Sequence, residues 1–354
     1  MRALLGRPTT RIVLVVLAGA GVIALLWWRG PNTHTIAHAF DKVEWRWVFV
    51  AIGFNLLSVV ARALAWKTVI DVAMPPPRPR FRLVFSAFSV GLFANAVLPG
   101  RVGELARVGV LTRRMPGRKG LWATLVGTVF AHRVFDLVPV VILVVYVVVF
   151  AKIPAWAVTS LIVVVTGGIA LFTFAFASAR LHQGQRLEGL GAVRRVVTMG
   201  RHGLGVMRAG WPAVRAISFQ CVGWLFQLLA VFTAMRAFDI HAPMPAAGLV
   251  LVLMNVATIF PLWPGNIGLM QAAVALPLVS YGVPYSQGFA FGIGLQAIEA
   301  SVGIGIGLIF LAHEGISLAT LRGMPGAERA DEAVDEAEGM VEDDAGRPRD
   351  RVAG

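Results

Sequence analysis

The sequence predicts an all-α integral membrane protein with six spanning helices and two re-entrant helical hairpins, arranged as an inverted repeat. Three observations predict it. Several apolar runs approach twenty residues, about the length a helix needs to cross a bilayer. Only 14% of the 354 residues are charged and 57% are hydrophobic, whereas a soluble domain carries roughly 25% charged residues. Two further apolar stretches are each broken by the same Pro-Gly-x-x-Gly motif, too early for either arm to cross alone. The mean hydropathy of +0.74 agrees. The runs lack the short alternating segments of barrel strands, so the spans are helices.

The first element follows a basic start (Arg2, Arg7, Arg11) and reads IVLVVLAGAGVIALLWW. It resembles a signal peptide in its basic start, but its apolar stretch is longer than an h-region, so it reads as an uncleaved span. The six spans fall at about 11–28, 46–67, 120–150, 155–178, 216–237 and 288–311. The third is longer than a perpendicular crossing requires. Its first turns therefore lie at the interface or belong to a tilted helix.

The hairpins fall at about 81–113 and 246–281. Charge decides that the first re-enters rather than crosses. Lys67, Arg78, Arg80 and Arg82 precede it, and Arg113, Arg114, Arg118 and Lys119 follow. Basic flanks belong on the cytoplasmic side, so the segment starts and ends there. The loop 179–215 is also basic and places its ends inside, while Asp239 and His241 fall outside. The second hairpin then dips from the outer face, and both termini are cytoplasmic. Residues 1–153 and 154–315 become two units with an odd number of crossings each, the second inverted. Pro99, Gly100 and Gly103 align with Pro264, Gly265 and Gly268 at an offset of 165. Inverted repeats with broken helices near the midplane are an architecture of secondary transporters.

The tail 316–354 is acidic and poor in aromatics, and is expected to be a disordered cytoplasmic segment. The net charge of +13 lies in short loops between apolar runs. There it sets orientation and attracts anionic lipid, so nucleic acid is not an expected partner. The lone Cys221 sits in an apolar run and reads as packing; no intrachain disulfide or cysteine-rich metal site is possible. No metal or cofactor is expected. Trp27, Trp28, Trp45, Trp47, Trp156 and Trp211 mark span ends as interfacial tryptophans do. Gly167-Gly168 and the glycines at 305 and 307 suit close helix packing, and the basic loop 184–210 suits an interfacial helix.

Charges inside apolar segments are costly and usually functional. Arg101, Glu104 and Arg107 follow the first Pro-Gly break at i, i+3, i+6 and share a broad helix face. The helix start and the arginine forks suit a lipid phosphate; alternatively, Glu104 merely neutralises the arginines at a wet hairpin mouth. His132, Arg133 and Asp136 lie deep in the third span. Arg133 and Asp136 can pair at i, i+3, and His132 is a candidate proton relay; the alternative is a structural ion pair with a hydrogen-bonded histidine. Glu299 lies in the sixth span. One repeat offset back from it is position 134, beside Arg133, so Arg133 and Glu299 are expected to face one central cavity, where they can pair. The second hairpin carries Asn266 and Gln271 and no arginine, which puts the anion-binding side on the cytoplasmic half.

No Walker A loop, HExxH, CxxC, GxSxG or DxD-type site occurs. ATP-driven transport by this chain alone is therefore not expected, and no catalytic residue is assigned.

The run NAVLPGRVGELARVGVLTRR, followed by HRVFDL, resembles the transmembrane domain of lysylphosphatidylglycerol synthases and its stand-alone, flippase-like relatives. That family's second pattern, P-x-x-P-G-x-x-G-x-x-E, is matched at Pro261, Pro264, Gly265 and Gly268. The likeness covers about residues 10–315. His132 stands where the family has Glu, and Gln271 where it often has Glu, which shifts weight onto Glu104, Asp136 and Glu299. The resemblance, without the soluble aminoacyl-transfer domain, implies lipid translocation rather than synthase chemistry. The expected function is thus movement of an anionic or zwitterionic phospholipid, or a lipid-linked glycan, between leaflets of a bacterial cytoplasmic membrane. Two alternatives stay open. One is a non-transporting accessory subunit of a membrane glycosyltransferase or lipid synthase. The other is a membrane-embedded lipid-modifying enzyme.

Overall fold

The computed structural model describes residues 38–98, 102–115, 121–153, 210–258 and 266–314, with single positions at 158 and 166. Its described residues form eight principal helices: α1 (Trp45–Ala73), α2 (Phe81–Val97), α3 (Gly103–Arg114), α4 (Leu121–Phe150), α5 (Trp211–Ala237), α6 (Met244–Ala257), α7 (Leu269–Val279) and α8 (Tyr285–Glu314). No strand occurs among them. The expected first and fourth spans, the loop 179–209 and the tail lie outside the described residues. So do the breaks Pro99, Gly100, Pro264 and Gly265, together with Arg101, Trp27, Trp28, Trp156 and Gly167-Gly168.

Four helices, α1, α4, α5 and α8, are long and apolar enough to cross a membrane. They correspond to the expected second, third, fifth and sixth spans. At 1.5 Å per residue, α2, α3, α6 and α7 are about 26, 18, 21 and 16 Å long. All fall short of the ~30 Å hydrocarbon core. The long third span is one continuous helix that carries Pro139 within it. Its first turns (Leu121, Trp122, Leu125) are buried against the first hairpin.

Local chemistry explains the boundaries. Helix α1 runs beyond the expected end because Lys67 and Asp71 pair at i, i+4. It stops before Pro75, which cannot continue a helix. Helices α5 and α6 open with Pro212 and Pro245 in the first turn, where no amide hydrogen is missed.

Each hairpin is pinned at its elbow by a side-chain amide. In the first, the Gly103 N–H donates to Asn95 Oδ1 at 2.8 Å. A Cβ on Gly103 would collide with the Gly91 carbonyl and with Asn95. In the second, the Gly268 N–H donates to Gln271 Oε1 at 2.6 Å. Gly268 has φ +92°, a backbone region glycine adopts without a Cβ clash. Asn266 Nδ2 donates to the Ala257 carbonyl at 3.1 Å, satisfying the end of α6.

The long helices α1 and α5 pack along each other. The first hairpin's α2 lies on α8, and the second hairpin's α6 lies on α4. Two apolar cores result. One gathers α6 and α7 with the later turns of α4 and α5 and the first turns of α8. The other gathers α2 and α3 with the later turns of α1, the first turns of α4 and the later turns of α8. Helices α1, α4 and α8 contribute to both cores, α5 to the first, and their polar residues lie between the two.

Candidate functional site

That polar layer is built by all four long helices. Asn55, Ser58 and Arg62 come from α1, His132 and Asp136 from α4, Gln220 and Gln227 from α5, and Glu299 from α8. Asn55, Ser58, His132, Asp136 and Gln220 are buried. Polar groups between two apolar cores are retained only where they partner one another, or where something polar comes to them.

One part of the layer is an ion-pair network at the first hairpin. Arg133 Nε donates to Glu104 Oε1 at 2.7 Å, joining α4 to α3. Arg133 Nη1 donates to Asp136 Oδ2 at 3.2 Å. The other Asp136 oxygen accepts the Trp224 indole N–H at 2.8 Å, which carries the network to α5. Three helices are thereby tied at one level by charge-assisted bonds.

Arg107 does not join this network by hydrogen bonds. It is buried, 4% exposed, with its guanidinium 4.6 Å from the Trp66 ring centre and 5.4 Å from that of Phe88. Its Nε and Nη2 have no hydrogen-bond partner among the described residues. The aromatic faces compensate part of the charge. His132 sits beside it, edge-on to Phe88 with ring centres 6.2 Å apart, and its carbonyl accepts a 3.2 Å bond from Gln220 Nε2.

The other part is a cavity of about 230 Å³ between the two hairpins. Its polar lining is Asn55, Ser58, Arg62, Gln227, Asn255, Thr258 and Glu299, and Phe88 of α2 and Met270 of α7 close it. Gln227 Nε2 donates to Glu299 Oε1 at 2.9 Å. The Arg62 guanidinium lies 5.0 Å over the Trp224 ring, and its Nε has no hydrogen-bond partner among the described residues. Trp224 thus connects the two parts, with Asp136 at its N–H and Arg62 on its face.

Of the residues singled out in the sequence, Glu104, Arg133 and Asp136 come together, with Arg107 and His132 adjoining. Glu299 lies in the cavity wall, and Arg101 is outside the described residues. The expected pairing of Arg133 with Glu299 is not what the structure shows. Arg133 bonds Glu104 and Asp136, while Glu299 accepts from Gln227. A Glu on the neighbouring hairpin and an Asp one turn along its own helix satisfy Arg133 first. The cavity's cation is instead Arg62, which the sequence reading passed over. The signal was available, since Arg62 interrupts the apolar run LSVVARALAW and meets the same cost argument that selected Glu299.

Comparison with known proteins also points to a membrane protein. A UPF0104 membrane protein of Methanothermobacter thermautotrophicus is 26% identical over 292 residues, covering 74% of this chain and 81% of that relative. A UPF0104 membrane protein of Pyrococcus horikoshii is 29% identical over 133 residues, 37% of this chain and 38% of that relative's length. No solved structure matches the chain. The sequence profile of the lysylphosphatidylglycerol synthase transmembrane region matches residues 12–307, which include every residue of the polar layer. With four membrane-length helices among the described residues, the chain is a multi-pass membrane protein and belongs to the lysylphosphatidylglycerol synthase transmembrane-region family.

Proposed function

We propose that this protein translocates an anionic or zwitterionic phospholipid, or a lipid-linked glycan, between membrane leaflets. The observation that carries the reading is the cavity between the two hairpins, lined by polar groups of α1, α5, α6 and α8 and set between two apolar cores. A charge at the bilayer centre costs about 2.5–3.5 kcal/mol even by translocon insertion scales. A chain that keeps Arg62 and Glu299 in apolar helices, at the wall of this cavity, offers a lipid head group polar contacts at that depth. The acyl tails stay in the bilayer, so the head group alone needs the polar path.

The mechanism rests on a duplicated frame of six spans in inverted units, 1–153 and 154–315, with both termini cytoplasmic in a bacterial inner membrane. Reciprocal packing supports it: α2 lies on α8 as α6 lies on α4. The elbow glycines Gly103 and Gly268, one offset apart, each donate to a side-chain amide. Rocking one unit on the other opens the cavity alternately to the two faces. The Glu104–Arg133–Asp136 network holds the first hairpin to α4 within the first unit, and the Asp136–Trp224 bond, which reaches α5 of the second unit, yields as the units rock. No catalytic group is required, and the chain acts as a transporter rather than an enzyme.

The test is reconstitution in liposomes containing fluorescent phospholipids, followed by dithionite reduction from outside. Wild-type protein is expected to expose inner-leaflet lipid to reduction, and Arg62→Ala to slow this about tenfold. Folded protein that accelerates no lipid would instead favour an accessory subunit serving a membrane glycosyltransferase or lipid synthase.

A further inference from the structure

We infer that the cavity selects zwitterionic head groups that carry a phosphate and a primary ammonium, with Arg62 and Ser58 receiving the phosphate and Glu299 and Asn255 the ammonium. The inference rests on the translocation reading and names the substrate class for its site.

The cavity wall is divided by chemistry. Ser58 and Arg62 stand at i, i+4 on α1, and so on one helix face. Ser58 Oγ and Arg62 Nε are buried and have no hydrogen-bond partner among the described residues. Arg62 Nε can only donate, and the Ser58 hydroxyl beside it donates to the same acceptor when one arrives, so the unsatisfied guanidinium calls for an acceptor. Across from α1, α6 and α8 supply acceptors. Glu299 receives Gln227 on Oε1, and no described residue donates to Oε2. Asn255 Nδ2 donates to the Leu251 carbonyl at 2.8 Å, which leaves its Oδ1 as a free acceptor facing no described donor.

A purely anionic head group would satisfy α1 and leave Glu299 unmatched. A purely cationic one would do the reverse beside Arg62. A head group with both charges complements both walls, and complementarity of this kind governs selection. Quaternary ammonium is disfavoured by what is missing from the wall. Recognition of such a group uses a cage of aromatic faces, and Phe88 is the cavity's one aromatic lining residue among those described. The acceptors present need N–H donors, which a primary ammonium has and a trimethylated one lacks. Size agrees: about 230 Å³ is below the ~300–1,000 Å³ of pockets for drug-sized ligands. It suits a short phosphate-linked amine better than a glycan.

The test uses acyl-chain-labelled lipids, so that the amine stays free, in the liposome assay. The panel is phosphatidylethanolamine, its dimethylated form, phosphatidylcholine and phosphatidylglycerol, on unaltered full-length protein. Translocation is expected to fall in step with N–H donors, with phosphatidylcholine and phosphatidylglycerol roughly tenfold slower than phosphatidylethanolamine, the effect of one lost charge-assisted bond. Glu299→Gln is expected to bring phosphatidylethanolamine down to the rate that phosphatidylglycerol shows on the unaltered protein. Equal rates for all four lipids overturn the head-group assignment and leave translocation standing. No movement of any lipid overturns both. Thermal stabilisation by soluble phosphoethanolamine, without lipid movement, assigns the cavity to a free zwitterion and overturns the lipid source.

Discussion

Arg62 and Gln227 lie 165 residues apart, the same separation as Pro99 and Pro264, and both line the cavity. Glu104, Arg133 and Asp136 were recognisable in the sequence because each is a charge placed among apolar neighbours. Their partners were not, since Trp224 and Gln227 are ordinary residues of an apolar helix until folding brings them to a carboxylate. The Trp224–Asp136 bond gives a first prediction. Asp136→Leu leaves a buried indole N–H unpaired and also removes a partner of Arg133, so a loss of about 1–3 kcal/mol is expected. Asp136→Asn keeps an acceptor oxygen and is expected to lose less; thermal unfolding in detergent distinguishes the two. Glu104 and Arg133 are partly open to their surroundings, with side chains 30% and 47% exposed. Their coupling in a double-mutant cycle is therefore expected to be about 1 kcal/mol, near the upper end for exposed pairs. Additive losses in Glu104→Ala, Arg133→Ala and the double variant would show that the contact carries no energy.

At the scale of elements, the hairpins were legible because Pro-Gly interrupts helix where hydropathy alone would continue it. Both arms of each fall within a few residues of expectation, apart from the breaks themselves, which lie outside the described residues. The elbow contacts were not legible. Asn95 lies eight residues before the glycine it caps, and Gln271 three residues after its own, so no common spacing announces them. Gly103→Ala forces the arms of the first hairpin apart at the Gly91 carbonyl and is expected to cost about 1–3 kcal/mol, as overpacking does. Asn95→Ala leaves the Gly103 N–H without its partner at a similar cost. Both would appear as lowered melting temperatures, and unchanged values would contradict the elbow geometry. The α1–α5 crossing is testable by linkage. A Cβ on Gly223 would lie 3.7 Å from Ala61 Cβ, inside the 3.5–4.5 Å range of disulfides, once the Arg62 side chain, 2.9 Å away at Cγ, shifts to admit it. With Cys221 replaced by Ala, the pair Ala61→Cys and Gly223→Cys is expected to cross-link within one chain under mild oxidation. Gel mobility that does not change would place these helices apart.

At the scale of the whole molecule, the membrane class followed directly from composition, because few soluble chains can bury so high an apolar fraction. What the sequence could not display was the layering: two apolar cores with the polar residues of α1, α4, α5 and α8 at one level between them. That level depends on how far each helix slides along its neighbour, which is set by packing at residues such as Gly307 against Phe93 and Gly248 against Val147. We propose that the cavity at this level communicates with both faces of the membrane in turn. This is tested most directly by placing a single cysteine at Asn255 in the cavity wall, in the Cys221→Ala background, and applying membrane-impermeant thiol reagents from either side of oriented vesicles. Labelling from both faces, slowed by phosphatidylethanolamine in the bilayer, is the predicted result. Labelling from one face only, or from neither while the protein remains folded, would contradict the account.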